Sequence, residues 1–238
     1  MIAFMIASLL MVGAGAETPS PRTQADVPFP LEPGVVWRFR GEVRWTAPNS
    51  SEVLAKTLEW PITVVASVRR GAQTISLVTD WFDELAWYDP ETKPGAHLLV
   101  HERGAGLYVL GKRENATGIW ERVTRDPRET VHERELMAGN LLLVPDLEEG
   151  RRWEYRDGLE RWVENVNTKS LRGISGWRGA KSDRVFEIMY GGNTDHELFE
   201  FVPNLGITRF TWAHHGTVAE CDLRLFAIER AALAPGPH

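Results

Sequence analysis

The sequence predicts an all-β, mostly antiparallel protein: one strongly curved sheet or partly closed barrel, built from two similar halves, with little helix. Three observations predict it. Apolar and polar residues alternate over long runs, as in Trp37, Phe39, Gly41, Val43 and Trp45 against Arg38, Arg40, Glu42, Arg44 and Thr46. A period of two marks a strand with one buried and one solvated face. These runs follow one another without the long helical crossovers that parallel pairing requires. Finally, Leu31 to Arg40 (LEPGVVWRFR) recurs as Leu147 to Arg156 (LEEGRRWEYR), and each copy opens a succession of strands. Either half alone would leave long sheet edges and a thin core, so the halves are expected to share one domain.

Taken in order, residues 1–16 (MIAFMIASLLMVGAGA) are uncharged and end in Ala14-Gly15-Ala16. That reads as a secretory signal peptide, because a membrane span needs about 20 apolar residues. Residues 17–28 are a polar, proline-bearing linker, 29–135 the first β half, 136–230 the second, and 231–238 an unpatterned tail. After the strand from Trp37, a turn is expected at Pro48, Asn49 and Ser50. Leu54 to Val68 alternates again, and Pro61 predicts a bend or bulge because proline cannot donate to a ladder. Arg70-Gly71-Ala72-Gln73 turns this strand into Thr74 to Thr79, an antiparallel hairpin.

Asp80 to Pro90 mixes aromatic and acidic residues without a clean period. Shorter strands are expected at Leu98 to Glu102, Leu107 to Lys112 and Ile119 to Val123, separated by glycines. Arg125 to Glu135 reads as a charged surface connection, with one short helix there or from Arg134 to Gly139, and the apolar Leu141 to Pro145 leads into the second motif. In the second half, Trp153 and Tyr155 oppose Arg152, Glu154 and Arg156, and Trp162 to Val166 continues. Leu171 to Trp177 is expected to form a hairpin with Val185 to Tyr190 through Arg178-Gly179-Ala180. Leu198 to Val202 and Ile207 to Ala213 flank a turn, and Thr217 to Glu229 is the last strand.

Composition narrows the function classes. With 238 residues, 43% hydrophobic and 25% charged, the chain is an ordinary globular sequence. A net charge of −6 gives neither nucleic acid nor an anionic membrane surface an electrostatic claim on it. Cys221 is the single cysteine, so no intrachain disulfide can form. It alternates with Leu223 and Leu225 against Glu220, Asp222 and Arg224, which points it inward as a small buried hydrophobe. Ten tryptophans are the compositional outlier. They suit either the core of a β protein or an aromatic-lined ligand site.

Catalytic templates fail one by one. His214-His215, with Asp195, His196 and Glu197 nearby, is the strongest metal candidate, but adjacent strand residues point to opposite faces. His101-Glu102 and His132-Glu133 each lack the second histidine of a zinc-protease helix. Asp80, Asp83, Glu84 and Asp89, beside Trp81, Trp87 and Tyr88, could supply a glycosidase-like carboxylate pair, with Asp83 or Glu84 as the acid. No GxSxG elbow is present, and no glycine-rich loop opens a helix. No catalytic residue, metal site or cofactor is therefore assigned.

The motif Leu-Glu-x-Gly-x-x-Trp-x-Phe/Tyr-Arg, read with Phe201 to Phe210 (FVPNLGITRF) and a closing hairpin, resembles a loose group of uncharacterised secreted bacterial β proteins. In that group a Pro-Leu-x-x-Gly-x-x-Trp-x-Tyr element opens a strand near the mature N-terminus and again mid-chain. Here Pro30, Leu31, Gly34, Trp37 and Phe39 match the first element, and Leu147, Gly150, Trp153 and Tyr155 the second. Asp146 departs from the Pro or apolar residue usual there, and Gly206 alone remains of the later glycines. The resemblance implies an extended β-sheet comparable with half-barrel carriers of lipoproteins or lipids.

These readings together point to an exported, periplasmic or extracellular, non-enzymatic β protein. Its expected ligand is apolar or amphipathic, bound on the concave sheet face, with a lipid or an envelope protein as partner. The ligand-binding candidates are Trp37, Trp60 and Trp153. No nucleic acid and no integral membrane span in the mature chain are expected. The alternatives are a secreted hydrolase acting on carbohydrate through the acidic aromatic loop, and a structural or assembly subunit.

Overall fold

The computed structural model describes residues 28–47, 49–82, 95–156, 158–179, 183–192, 195–214 and 219–230. The signal-peptide and linker readings fall outside these residues, as does the tail. In chain order the elements are β1 (Val35–Thr46), β2 (Val53–Arg70), β3 (Gln73–Thr79), β4 (His97–Glu102), β5 (Gly106–Leu110), α1 (Ala116–Arg125), α2 (Glu133–Ala138) and β6 (Asn140–Leu143). They continue with β7 (Arg152–Arg156), β8 (Leu159–Lys169), β9 (Asp183–Gly191), β10 (Asp195–Val202), β11 (Gly206–His214) and β12 (Ala219–Arg230).

All twelve strands join one sheet, in the order β6-β5-β4-β3-β2-β1-β12-β11-β10-β9-β8-β7. Every ladder between them is antiparallel. The sheet rolls into a nearly closed barrel, as the alternation predicts. Every strand pairs with its sequence neighbours except β6 with β7, and the first and last strands, β1 and β12, pair with each other. The seam lies between β6 and β7. Across it, Trp153 Nε1 donates to the Leu141 carbonyl at 3.0 Å and an Arg156 Nη1 donates to Asn140 Oδ1 at 3.3 Å.

The two motif copies build the same local structure. Gly34 and Gly150 take φ 85° and 79°, a region that glycine enters without strain. Their N–H groups donate to the carbonyls of Val64 (2.8 Å) and Val163 (2.9 Å). Beyond those carbonyls both partner strands carry a bulge, between Val64 and Ala66 in β2 and between Val163 and Asn165 in β8. The motif tryptophans also act alike: Trp37 Nε1 donates to the Leu205 carbonyl at 2.8 Å, as Trp153 does to Leu141.

The interior is filled by the apolar members of the alternation, including Trp37, Phe39, Val43, Phe199 and Leu223, all buried. Cys221 is among them. The opposite face carries the charged members. There Arg40 pairs with Glu59 (2.6 Å) and Arg44 with Glu220 (2.7 Å), each directly across a ladder. Gly41 lets β1 and β12 lie close, because a Cβ there would fall 1.8 Å from the Asp222 carbonyl oxygen.

Three expectations are corrected. Ile119 to Val123 lies within helix α1, not in a strand. As a strand, Ile119 and Val123 would share a face with Glu121; with Ala116 they instead sit three and four residues apart, and that helical spacing buries them against the outer face of β3–β5. Leu171 to Trp177 is irregular. β8 extends to Lys169 and takes β9 as its partner, leaving this segment a single bridge, Ser175 to Ala227. Pro61 causes no bulge where it stands, since β1 pairs through it (Arg38 opposite Pro61) and the β3 ladder begins only at Thr63. The irregularity comes at Val64/Ala66 instead.

Candidate functional site

In β8 the alternation places Leu159, Arg161 and Val163 on one side, so a cation takes an inward position. The register extends this into two tiers. Arg161 stands opposite Trp153 on β7 and Tyr190 on β9; Tyr190 stands opposite Glu197 on β10, and Glu197 opposite Trp212 on β11. One step along the strands, Val163, Ile188, Phe199, Phe210 and Leu223 are likewise opposed in turn. Directly opposed residues share a face of the sheet. A polar tier therefore rests on an apolar one inside the barrel.

Arg161 is only 3% exposed. Its Nη2 pairs with Glu197 Oε1 at 2.8 Å. Its guanidinium lies 4.4 Å from the Tyr155 ring centre, 5.0 Å from Phe199 and 6.0 Å from Tyr190. Such a cation–ring contact stabilises a desolvated charge by about 2 kcal/mol or more. Nε and Nη1 are buried and find no hydrogen-bond acceptor among the described residues. Burial pushes the Tyr155 and Tyr190 phenols above their ordinary 10.0, against the opposing pull of Arg161, so both are neutral rings at physiological pH.

Arg161 lines a cavity of about 540 Å³ that lies beside the seam. The apolar lining comes from Trp81, Phe82, Leu142, Phe199, Ile207 and Phe210. Phe82 stacks on Phe210, 4.3 Å between ring centres, which makes one wall flat and aromatic. Lys112 and Arg113 are exposed at the rim, with Asn140 and Arg156 half-buried beside them. Among the described residues, the lining carries two carboxylates, Glu114 and Glu197. Glu114 accepts from the Gly111 N–H at 2.8 Å, and Glu197 is taken by Arg161. The arrangement can hold an anionic or polar group at its inner tier with apolar surface around it.

The tryptophans singled out from sequence are placed as follows. Trp37 is buried and packs on Phe29, 5.4 Å between rings. Trp60 is half-buried opposite Phe39, its Nε1 donating to the Asp80 carbonyl at 2.6 Å. Trp153 is buried, directly opposite Arg161. None of the three lines the seam cavity, although Trp153 closes the seam beside it. Of the acidic loop, Trp81 lines the cavity and Asp80 takes φ 60°. Asp83, Glu84, Trp87, Tyr88 and Asp89 lie outside the described residues. His214 Nδ1 pairs with Asp195 Oδ1 at 2.6 Å, and His215 is also outside them. Among the described residues no three His, Cys, Asp or Glu side chains gather as metal ligands.

Sequence reasoning missed Arg161 altogether. Its signal was available: a charged residue standing in register with Val163 on an apolar face is either paired or functional.

No described protein family matches this chain, and no curated protein does. Among solved structures it is similar to a predicted lipoprotein from Parabacteroides distasonis, with TM-score 0.44 and 10% identity, covering 87% of this chain and 100% of that one. It is also similar to a predicted exported protein with a YmcC-like fold from Bacteroides fragilis, with TM-score 0.39 and 11% identity, covering 86% and 100%. Similarity at this level carries nothing about what the present chain binds.

Proposed function

We propose that this chain is an exported, non-enzymatic β protein that takes an amphipathic ligand into the interior of its barrel beside the β6–β7 seam. The observation that carries the reading is the cavity itself: about 540 Å³, aromatic and aliphatic on its walls, with charged groups at its rim and at one inner tier. Its size falls within the roughly 300–1,000 Å³ of small-molecule sites, and its aromatic and aliphatic surface is matched by as many polar and charged lining groups, which suits a ligand that is itself part polar. The uncharged leader ending in Ala14-Gly15-Ala16 supports export, to the periplasm or beyond, where lipids and envelope proteins are the available partners.

In this reading the halves are repeats, and the β6–β7 seam is the counterpart of the β1–β12 junction. One junction is a full ladder and the other is left open for entry. Trp153 shapes the seam through its hydrogen bond to the Leu141 carbonyl, Trp37 ties β1 to the β10–β11 turn at Leu205, and half-buried Trp60 stands off the cavity lining. The test uses monolauroylglycerol, a neutral amphiphile, titrated into the mature protein below its aggregation threshold. A saturable change in tryptophan fluorescence at one equivalent is expected. A response that rises linearly without saturating would count against binding.

A further inference from the structure

We propose that the ligand of the seam cavity is an anionic amphiphile, whose acidic head accepts hydrogen bonds from Arg161 while its chain lies along Phe82, Phe199, Ile207 and Phe210. The inference rests on the amphiphile reading above and specifies the head group. Arginine stays protonated under all physiological conditions, so burial cannot make it neutral. The side chain is 3% exposed and pairs with Glu197, yet Nε and Nη1 are buried without an acceptor among the described residues. Native interiors leave few polar atoms in that state, and each such atom calls for a partner. Arg161 is also one of the residues lining the cavity.

The charge around it has the same sign. Among the described residues, Lys112, Arg113, Arg156 and Arg161 line the cavity against Glu114 and Glu197. That is a local cationic surplus in a chain whose net charge is −6. A low-dielectric pocket strengthens the attraction of such a surplus for an oxyanion. The aromatic cage of Tyr155, Tyr190 and Phe199 fixes the guanidinium plane, so little order remains to be lost when an acceptor arrives. The shared chemistry of the head is an oxyanion, a carboxylate or a phosphate monoester.

Binding is measured by calorimetry with dodecanoate, dodecyl phosphate, monolauroylglycerol, dodecyltrimethylammonium and inorganic phosphate. At least one of the two acids is expected to bind at least about tenfold more tightly than the neutral glycerol ester, and the tighter of the two identifies the head. R161Q should bring this ratio close to one. In E197Q, which removes the competing carboxylate, the acids should bind more tightly, an increase that a purely structural Arg161 would not produce. R161M/E197Q removes both members of the ion pair together and keeps a folded, discrimination-free control available if R161Q fails to fold. Equal binding of neutral and acidic probes, or preference for the cation, overturns the anionic head while leaving the amphiphile reading intact. If no dodecyl compound binds, both readings fall. If inorganic phosphate binds as tightly as dodecyl phosphate, the chain contributes nothing and the site is one for a free anion.

Discussion

Asp222 shows how a single side chain on the outer face couples stability to pH. Its carboxylate accepts from Arg209 Nε at 2.9 Å and Nη2 at 2.8 Å. This hydrogen bonding, and the charge of Arg209 and Arg224, hold the carboxyl below its ordinary 3.8, although partial burial opposes them. A depressed carboxyl binds fewer protons in the folded state than in the unfolded one. Its stabilisation is therefore present above the ordinary value and is lost as the pH falls through and below it. Asp222→Asn should thus be less stable than the parent at neutral pH, and the gap in urea midpoint should shrink as the pH is lowered from about 6 to about 2.5. A gap that stays constant over that range would show the pair to be energetically silent, as many half-exposed pairs are.

At the scale of elements, the helical layer is a separate structural problem from the barrel. α1 and α2 bury Ile119, Val123 and Leu136 against Ile75, Leu98, Val100 and Leu110, so β3–β5 are covered on both faces. The layer is held by few polar clamps. Gln73 on β3 makes a reciprocal pair with the backbone of Val131, its Nε2 donating to the carbonyl and its Oε1 accepting the N–H, both at 2.9 Å. Arg122 donates to Glu129, to the Thr130 carbonyl and to Glu135, tying down the connection between the helices. Gln73→Leu would leave both Val131 groups buried and unpaired, at about 1–3 kcal/mol each. Hydrogen exchange should then quicken in α1 and α2 while β1 and β12 stay protected. Uniform acceleration across the molecule would mean that the layer does not open independently.

The whole molecule is a meander whose first and last strands are zipped together and whose middle is its weak point. β1 and β12 pair from Val35 opposite Arg230 to Trp45 opposite Ala219, whereas β6 and β7 form no ladder and are bridged by hydrogen bonds from the Trp153 and Arg156 side chains. Opening should therefore start at the seam, the place where the cavity lies. Trp153→Phe keeps an aromatic ring but removes the donor to the Leu141 carbonyl, a loss of about 1 kcal/mol. Exchange of the β6 and β7 amides should accelerate first and most. Protection unchanged at β6 would show that packing alone closes the seam.

Much of the fold was legible because each strand carries its instructions locally. The run from Trp37 to Trp45 specifies a buried and a solvated face by itself, and the Gly34 and Gly150 motifs specify how such a strand begins. Local pattern failed where the deciding contact was distant. Ile119 to Val123 is too short and too mixed for its period to be read from sequence, and the outer face of β3–β5 selects the helix that buries Ile119 and Val123 with Ala116. Leu171 to Trp177 looks like a strand, but β9 is already occupied by the extended β8. The site was legible only in part. The sequence by itself determined that tryptophans and alternating strands would build an interior, and that Cys221 would face it. Only the tertiary structure decided that Arg161 enters that interior beside Glu197, because register across β7, β8, β9 and β10 sets which side chains meet, and no single strand contains that information.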